Sequence, residues 1–111
     1  MSPNIAPSEH VGLYWTIREG LAAEYDRVHA TVWPRLEARM QELGVESFSI
    51  FRRGDEVFAH LTVRDYPAFT RAYAIDQIAQ EWERQFDDLL IVEQPDPETG
   101  WPERLVHVWS L

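Results

Sequence analysis

The fold is decided by residues 46–63, which read ESFSIFRRGDEVFAHLTV. Apolar and polar residues alternate over 46–52 and again over 56–63, and the sequence Arg53-Gly54-Asp55 separates the two runs. Alternation with a period of two is typical of strands that bury one face. A glycine-containing turn between two such runs predicts a β-hairpin. We therefore place a hairpin at the centre of the chain.

The region before the hairpin predicts one strand and two helical pieces. Residues 10–18 alternate, which predicts a strand with one apolar face made of Val11, Leu13, Trp15 and Ile17. Residues 20–43 have helical spacing, but Pro34 lies inside this segment. Because a proline within a helix removes a backbone hydrogen bond and clashes with the preceding turn, we expect a break within 30–34. Pro34 then belongs to the first turn of the second piece.

The region after the hairpin predicts a second helical segment, a loop and a last strand. Asp65 can cap the segment, Pro67 fits its first turn, and the apolar spacing continues to about Leu90. Residues 93–102 contain three prolines and a glycine, which is typical of a loop. Alternation over 104–111 predicts the closing strand.

The predicted order of elements, βαββαβ, is that of the ferredoxin-like plait, an α+β fold with helices on one face of an antiparallel sheet. We predict one domain over residues 10–111, preceded by a disordered N-terminal tail over residues 1–9. The sheet face without helices is rich in aromatic residues. Since exposed apolar faces mark interaction surfaces, we expect a homodimer that forms sheet against sheet.

The composition excludes several classes of protein. The 111-residue chain contains no lysine and no cysteine, and its formal net charge is -9 at pH 7. An acidic chain repels phosphate backbones and anionic lipid, so we expect no nucleic-acid partner and no membrane partner. The missing residue types exclude a disulfide framework, a thiolate nucleophile and a Schiff-base lysine. Residues 1–9 lack the apolar run of a signal peptide, and we expect a cytoplasmic protein.

The densest group of reactive side chains precedes the predicted break at Pro34. Tyr25 and His29 are four residues apart and therefore share one helix face. Histidine has an ordinary pKa of about 6.5, which suits proton transfer in both directions near neutral pH. The alternative interpretation is structural, with His29 hydrogen-bonded in the core and Tyr25 packed beside it.

The pattern of this region resembles a known family. Tyr25-x-x-x-His29-x-x-x-Trp33-Pro34-x-Leu36 is similar to the YxxxHxxxWPEL stretch of the L-rhamnose mutarotases. The resemblance continues in order along the chain through residues 47–51 (SFSIF, against N-Y-S-I-F), Phe58-Ala59, Gln80-Glu81-Trp82 (against Q-R-W) and residues 108–111 (VWSL, against V-F-H-L). It covers about residues 10–111.

The resemblance implies a homodimeric isomerase of the dimeric α/β-barrel type, which interconverts the α and β anomers of L-rhamnose without a cofactor or a metal. By position, it implies that His29 is the catalytic acid and that the monosaccharide contacts Tyr25, Phe48, Trp82 and Glu83. Two of these depart from the family pattern, because Phe48 replaces a tyrosine and Glu83 stands where some members have a second tryptophan. The sugar is therefore open between L-rhamnose and a related deoxyhexose such as L-fucose.

The residues leave further alternatives. The base that complements His29 is a water, Tyr25, or a carboxylate such as Asp26 or Glu83. Two other functions fit the same fold, a cofactor-free monooxygenase and a catalytically silent dimer that binds a small ligand. The three strand histidines form a metal site only if they share a face, and we favour their placement beside a dimer interface instead: His10, His60 and His107.

Overall fold

A computed structural model describes residues 7–111 and confirms the predicted α+β class. The strands are β1 (Glu9–Ile17), β2 (Val45–Arg53), β3 (Glu56–Val63) and β4 (Leu90–Ile91). The helices are α1 (Ala22–His29), α2 (Pro34–Glu42), α3 (Tyr66–Ile75) and α4 (Gln77–Glu83), and a single 3-10 turn follows at Arg84–Phe86. The strands form one four-stranded antiparallel sheet in the order β2-β3-β1-β4, which is the order of the ferredoxin-like plait.

The central hairpin is confirmed. β2 pairs with β3 out to Arg53 opposite Glu56, and Gly54 in the turn has a φ of 58°, a conformation that favours glycine. β1 lies against the other edge of β3, with Leu13 opposite Ala59. These pairings place the apolar positions of β1 and β3 on one face of the sheet.

The core lies between that face and the helices. Strand side chains on this face are almost completely buried, among them Val11, Leu13, Val57, Leu61 and Val63. Leu36 of α2 and Phe69 of α3 cover them from the helical side. Each fully buried side chain of this size stabilises the fold by about 1.5–3 kcal/mol relative to an exposed one, so this layer holds the helices in place.

The predicted break before Pro34 is confirmed. α1 ends at His29 and α2 begins at Pro34, with Trp33 in an extended conformation (φ -66°, ψ 127°). A residue that precedes proline is pushed away from helical angles, and proline fits the first helical position. The proline therefore places His29 at the last turn of a helix.

The prediction of a single helical segment from Asp65 to about Leu90 is wrong. Asp65 does cap α3 by accepting a hydrogen bond from the Ala68 amide at 3.0 Å. However, the helix stops at Asp76, which is extended (φ -75°, ψ 131°) and caps α4 by accepting from the Ala79 amide at 3.0 Å. Two helices therefore replace one, because a second aspartate offers a second N-cap.

The closing strand predicted over residues 104–111 is also wrong. The fourth strand is β4, where Ile91 lies opposite Thr16, and Leu105 forms only an isolated bridge through its amide to the Gly12 carbonyl at 2.8 Å. The alternating side chains of this segment have no second layer to cover them, since Val106, Val108 and Trp109 are largely exposed. Alternation alone does not make a strand without a partner edge.

The outer face of the sheet carries exposed aromatic side chains and the three histidines considered above. Phe51 is 66% exposed and Phe58 is 41% exposed. His10 and His60 do share this face, with 3.3 Å between Nδ1 and Nε2, and the ring of His107 lies 6.1 Å from that of His10. Among residues 7–111, no group of three or more histidine or carboxylate side chains has a geometry that holds a metal ion.

The structure bears on the predicted N-terminal tail and on whether the chain has a membrane-spanning helix. The disordered tail predicted for residues 1–9 lies largely outside the described residues, which begin at Pro7, and Glu9 already belongs to β1. None of the helices in the described part of the chain is both long and apolar enough to span a bilayer.

Candidate active site

A cleft of about 820 Å³ opens between the helix-facing side of the sheet and the helices. The floor comes from β1 and β2, and the walls come from all four helices and from the loop that carries Trp101. The structure brings all the sequence-predicted site residues to this one cleft: Tyr25, His29, Phe48, Trp82 and Glu83.

His29 lies at the end of α1 with one ring nitrogen already occupied. Nδ1 is 3.0 Å from the backbone carbonyl oxygen of Tyr25. Because a carbonyl oxygen only accepts hydrogen bonds, Nδ1 carries the hydrogen and donates it. Nε2 is then the nitrogen that gives or takes a proton, and the ring is held in a fixed orientation.

Aromatic rings surround this imidazole. Its centroid lies 4.5 Å from that of Tyr25, 5.3 Å from that of Phe86 and 6.0 Å from that of Trp82. Trp33 packs edge-on against Trp82 at 5.2 Å but does not line the cleft, so it supports the wall from behind. A flat apolar wall of this kind suits the C–H face of a small ring-shaped ligand.

Tyr25 is buried beneath His29, and its side chain is 4% exposed. Burial raises the pKa of Tyr25 to about 12, against the opposing effect of the nearby Trp15 indole. Trp15 also lines the cleft, and its buried Nε1 has no hydrogen-bond partner among residues 7–111. The alternation of β1 predicts only that Trp15 lies on the apolar face, since alternation does not distinguish a cleft from a packed core.

Glu83 is a carboxyl group that α4 contributes to the wall of the cleft. The Tyr73 hydroxyl donates a hydrogen bond to Oε1 of Glu83 at 2.7 Å. Burial raises the pKa of Glu83, and this effect exceeds the lowering effect of the Tyr73 hydrogen bond. Burial likewise raises the pKa of Tyr73 above its ordinary value. Tyr73 was predicted only as an apolar helix position, because no spacing rule connects residues on two separate helices.

Asp26, the other carboxylate considered from the sequence, does not line the cleft. Its two oxygens accept hydrogen bonds from Arg52 Nε at 2.7 Å and Nη2 at 2.6 Å. These hydrogen bonds hold the pKa of Asp26 below its ordinary value. Asp26 therefore joins α1 to the central hairpin and faces away from the candidate site.

Phe48 contributes an apolar surface to the floor of the cleft. It lies opposite Leu61 in the β2–β3 ladder and is partly buried beside Ile50, which also lines the cleft. No hydroxyl is present at this position to bind a polar ligand. Polar residues line the cleft from its helical wall, among them Tyr25, His29, Tyr73 and Glu83.

Comparison with known proteins identifies the family. The family model described as L-rhamnose mutarotase matches residues 10–111. The chain belongs to the L-rhamnose mutarotase family. It is therefore a sugar mutarotase, an isomerase that acts on carbohydrates. This confirms the resemblance found in the sequence and favours it over the monooxygenase and the silent ligand-binding dimer.

Individual mutarotases support the assignment. The chain is 26% identical over 105 residues to an L-rhamnose mutarotase of Paraburkholderia xenovorans, covering 93% of this chain and 98% of that protein. It is 38% identical over 68 residues to an L-fucose mutarotase of Xanthomonas campestris, covering 57% of this chain and 54% of that protein. The crystal structure of an L-rhamnose mutarotase from Formosa agariphila has the same fold, with a TM-score of 0.74 and 22% identity over 94% of this chain and 99% of that chain.

Proposed function

We propose that this mutarotase interconverts the α and β anomers of L-rhamnose or of a related deoxyhexose such as L-fucose, with His29 as the catalytic acid. The observation that carries the proposal is the His29 imidazole, which is fixed through Nδ1 and leaves Nε2 free in an aromatic cleft. The names of the related proteins, which include both L-rhamnose and L-fucose mutarotases, support the class of substrate.

Mutarotation needs proton transfer at two oxygens. In the proposed reaction, His29 Nε2–H protonates the ring oxygen while a base removes the proton of the anomeric hydroxyl, and the bond between C1 and the ring oxygen breaks. The resulting aldehyde rotates about the C1–C2 bond, and the ring closes again with the opposite proton transfers. Each proton is returned, so the reaction consumes no co-reactant.

The walls of the cleft fit a deoxyhexose in this proposal. Trp82 and Phe86 offer flat surfaces for the C–H face of the sugar. Phe48 and Ile50 provide an apolar floor that suits the C6 methyl group, and the Tyr25 hydroxyl is the substrate-binding hydroxyl beside His29. A methyl group gains from an apolar surface, whereas a C6 hydroxyl loses its hydrogen bonds with water there.

Saturation-transfer NMR tests the substrate. With L-rhamnose and L-fucose at anomeric equilibrium, the protein is expected to exchange the two anomers of at least one sugar faster than buffer does. L-mannose serves as the matched control and is expected to gain less, because it differs from L-rhamnose only by a C6 hydroxyl that meets the apolar floor. A protein that accelerates none of a panel of deoxyhexoses contradicts the proposed function.

The proposal includes a homodimer formed through the outer face of the sheet. Tyr14 and Phe58 are in contact there, with ring centroids 5.2 Å apart, and Phe51 lies on the same face opposite Phe58. The exposure of Phe51 and Phe58 is typical of a surface that a partner covers. The cytoplasmic location expected from the sequence belongs to the same proposal and is consistent with the family.

Light scattering tests the dimer. The protein is expected to have twice the 13.0 kDa mass of one chain at micromolar concentration, and Phe51→Glu is expected to shift it toward the monomer because the carboxylate is buried without a partner. Ile75→Glu, at an exposed position of α3, is the matched control and should leave the mass unchanged. A monomeric wild-type protein contradicts this part of the proposal.

A further inference from the structure

Glu83 is a second group at the site that is able to exchange a proton. It lines the same cleft as His29, but it projects from α4, whereas His29 projects from α1. The charge of Glu83 also contributes to the raised pKa of Tyr25, so the carboxyl group lies within electrostatic reach of the tyrosine that contacts His29. The two groups therefore face one ligand space from different helices.

Tyr73 fixes the orientation of this carboxyl group. Its hydroxyl donates to Oε1 at 2.7 Å, and Oε2 has no hydrogen-bond partner in the described part of the chain. Tyr73 is only 2% exposed, and the centroid of its ring lies 5.4 Å from that of Phe69 and 5.4 Å from that of Trp101. A donor held this firmly by the core leaves one carboxylate oxygen free for a ligand.

We propose that Glu83 is the proton-transfer partner of His29 in mutarotation, and that Tyr73 is the positioning residue that directs its free oxygen to the sugar. This inference rests on the proposed function. Ionised Glu83 takes the proton of the anomeric hydroxyl as His29 protonates the ring oxygen and the bond from C1 to that oxygen breaks. When the ring closes, Glu83 returns its proton to the anomeric oxygen and His29 recovers its own from the ring oxygen.

The environment of Glu83 suits a base better than those of the other candidates. Burial and the nearby charge of Asp87 raise the pKa of Glu83, which makes its carboxylate a stronger base than an exposed one. The raised pKa of Tyr25, about 12, keeps its phenol protonated and makes it a hydrogen-bond donor. Asp26 is outside the cleft and bound to Arg52. Of the two carboxyl groups considered from the sequence, Asp26 and Glu83, only Glu83 lines the cleft.

Glu83→Gln tests the proton transfer. The amide keeps the size of the side chain and an acceptor for Tyr73 but cannot exchange a proton, so turnover on the sugar is expected to fall by about 100-fold, within the usual range for a general acid or base. Glu81→Gln is the matched control, since Glu81 lies two residues earlier and pairs with Arg35 at 3.2 Å outside the cleft. Its turnover should equal that of the wild type.

Tyr73→Phe tests the positioning role by a pH profile. The hydrogen bond from Tyr73 lowers the pKa of Glu83, so its loss is expected to move the acidic limb of the turnover profile to higher pH. The same limb is expected to disappear in Glu83→Gln. An unchanged limb in Tyr73→Phe contradicts the positioning role even if Glu83→Gln does not fold.

The outcomes separate this inference from the proposed function. A wild-type protein that is active, loses activity in His29→Ala and keeps it in Glu83→Gln overturns the inference and leaves the proposed function intact. A wild-type protein without mutarotase activity on deoxyhexoses overturns both.

Discussion

Turnover on the sugar is expected to fall by about 10²–10⁴-fold when His29 is replaced by alanine, which is the usual contribution of a general acid or base. The imidazole is oriented by its hydrogen bond to the Tyr25 carbonyl at 3.0 Å and by rings on three sides. A water in its place lacks this fixed orientation. Saturation-transfer NMR on the best sugar of the panel measures the loss.

Two further measurements distinguish chemistry from structure at His29. Free imidazole is expected to enter the space left in His29→Ala and to restore part of the rate. The matched control is His107→Ala, because His107 lies outside the cleft and is exposed near the end of the chain. A His29→Ala variant with turnover within about threefold of the wild type would show that His29 is not the catalytic acid.

The largest expected effect on stability comes from Phe69→Ala in α3. Phe69 is 1% exposed, and the centroid of its ring lies 5.4 Å from that of Tyr73 and 5.5 Å from that of Trp101. Removing a buried phenylalanine side chain lowers the free energy of unfolding by about 3–5 kcal/mol, since apolar burial is lost and a cavity remains. The total free energy of unfolding of such a domain is only about 5–15 kcal/mol, so the variant is expected to unfold at a low urea concentration.

Urea denaturation followed by circular dichroism measures this loss. Ile75→Ala on the same helix is the control, because Ile75 is 81% exposed and its truncation should change the free energy of unfolding by less than about 0.5 kcal/mol. Equal stabilities of Phe69→Ala and Ile75→Ala would contradict the central place of Phe69 in the core.

The parts of the fold that local chemistry determines are predictable from the sequence. The hairpin follows from alternation on both sides of Gly54, and the break before α2 follows from Pro34. The split at Asp76 was missed because the helical spacing of apolar residues continues across it, from Tyr73 to Ile78 and Trp82. Periodicity records which residues face the core, and it does not record where the helix axis changes direction.

Residues 104–111 show that a regular local pattern does not ensure a strand. Alternation over residues 104–111 is as regular as in β1, but only Leu105 reaches a neighbouring backbone. Pairing depends on which edge of the sheet is free, and β4 already occupies part of the edge of β1 through Thr16 and Ile17. Which of the two segments pairs with this edge depends on tertiary structure and is not visible in the local sequence pattern.

The same distinction applies to the candidate site. Tyr25 and His29 were found because they are neighbours on one helix, and the family pattern added Trp82, Phe48 and Glu83. The hydrogen bond between Tyr73 and Glu83 was not found, since it joins α3 to α4 across the break at Asp76. Contacts that depend on the angle between two helices require the structure.

Because α4 has its own N-cap, its sequence can evolve separately from that of α3. α4 is a seven-residue helix with its own N-cap at Asp76, and it carries Trp82 and Glu83. α3, in contrast, carries the large buried ring of Phe69. Selection for a new sugar can therefore alter the cleft wall at Gln80, on a short, independently terminated helix, while Glu83 and the helix that stabilises the core are kept. Variation in preference among related sugars is then compatible with one inherited scaffold.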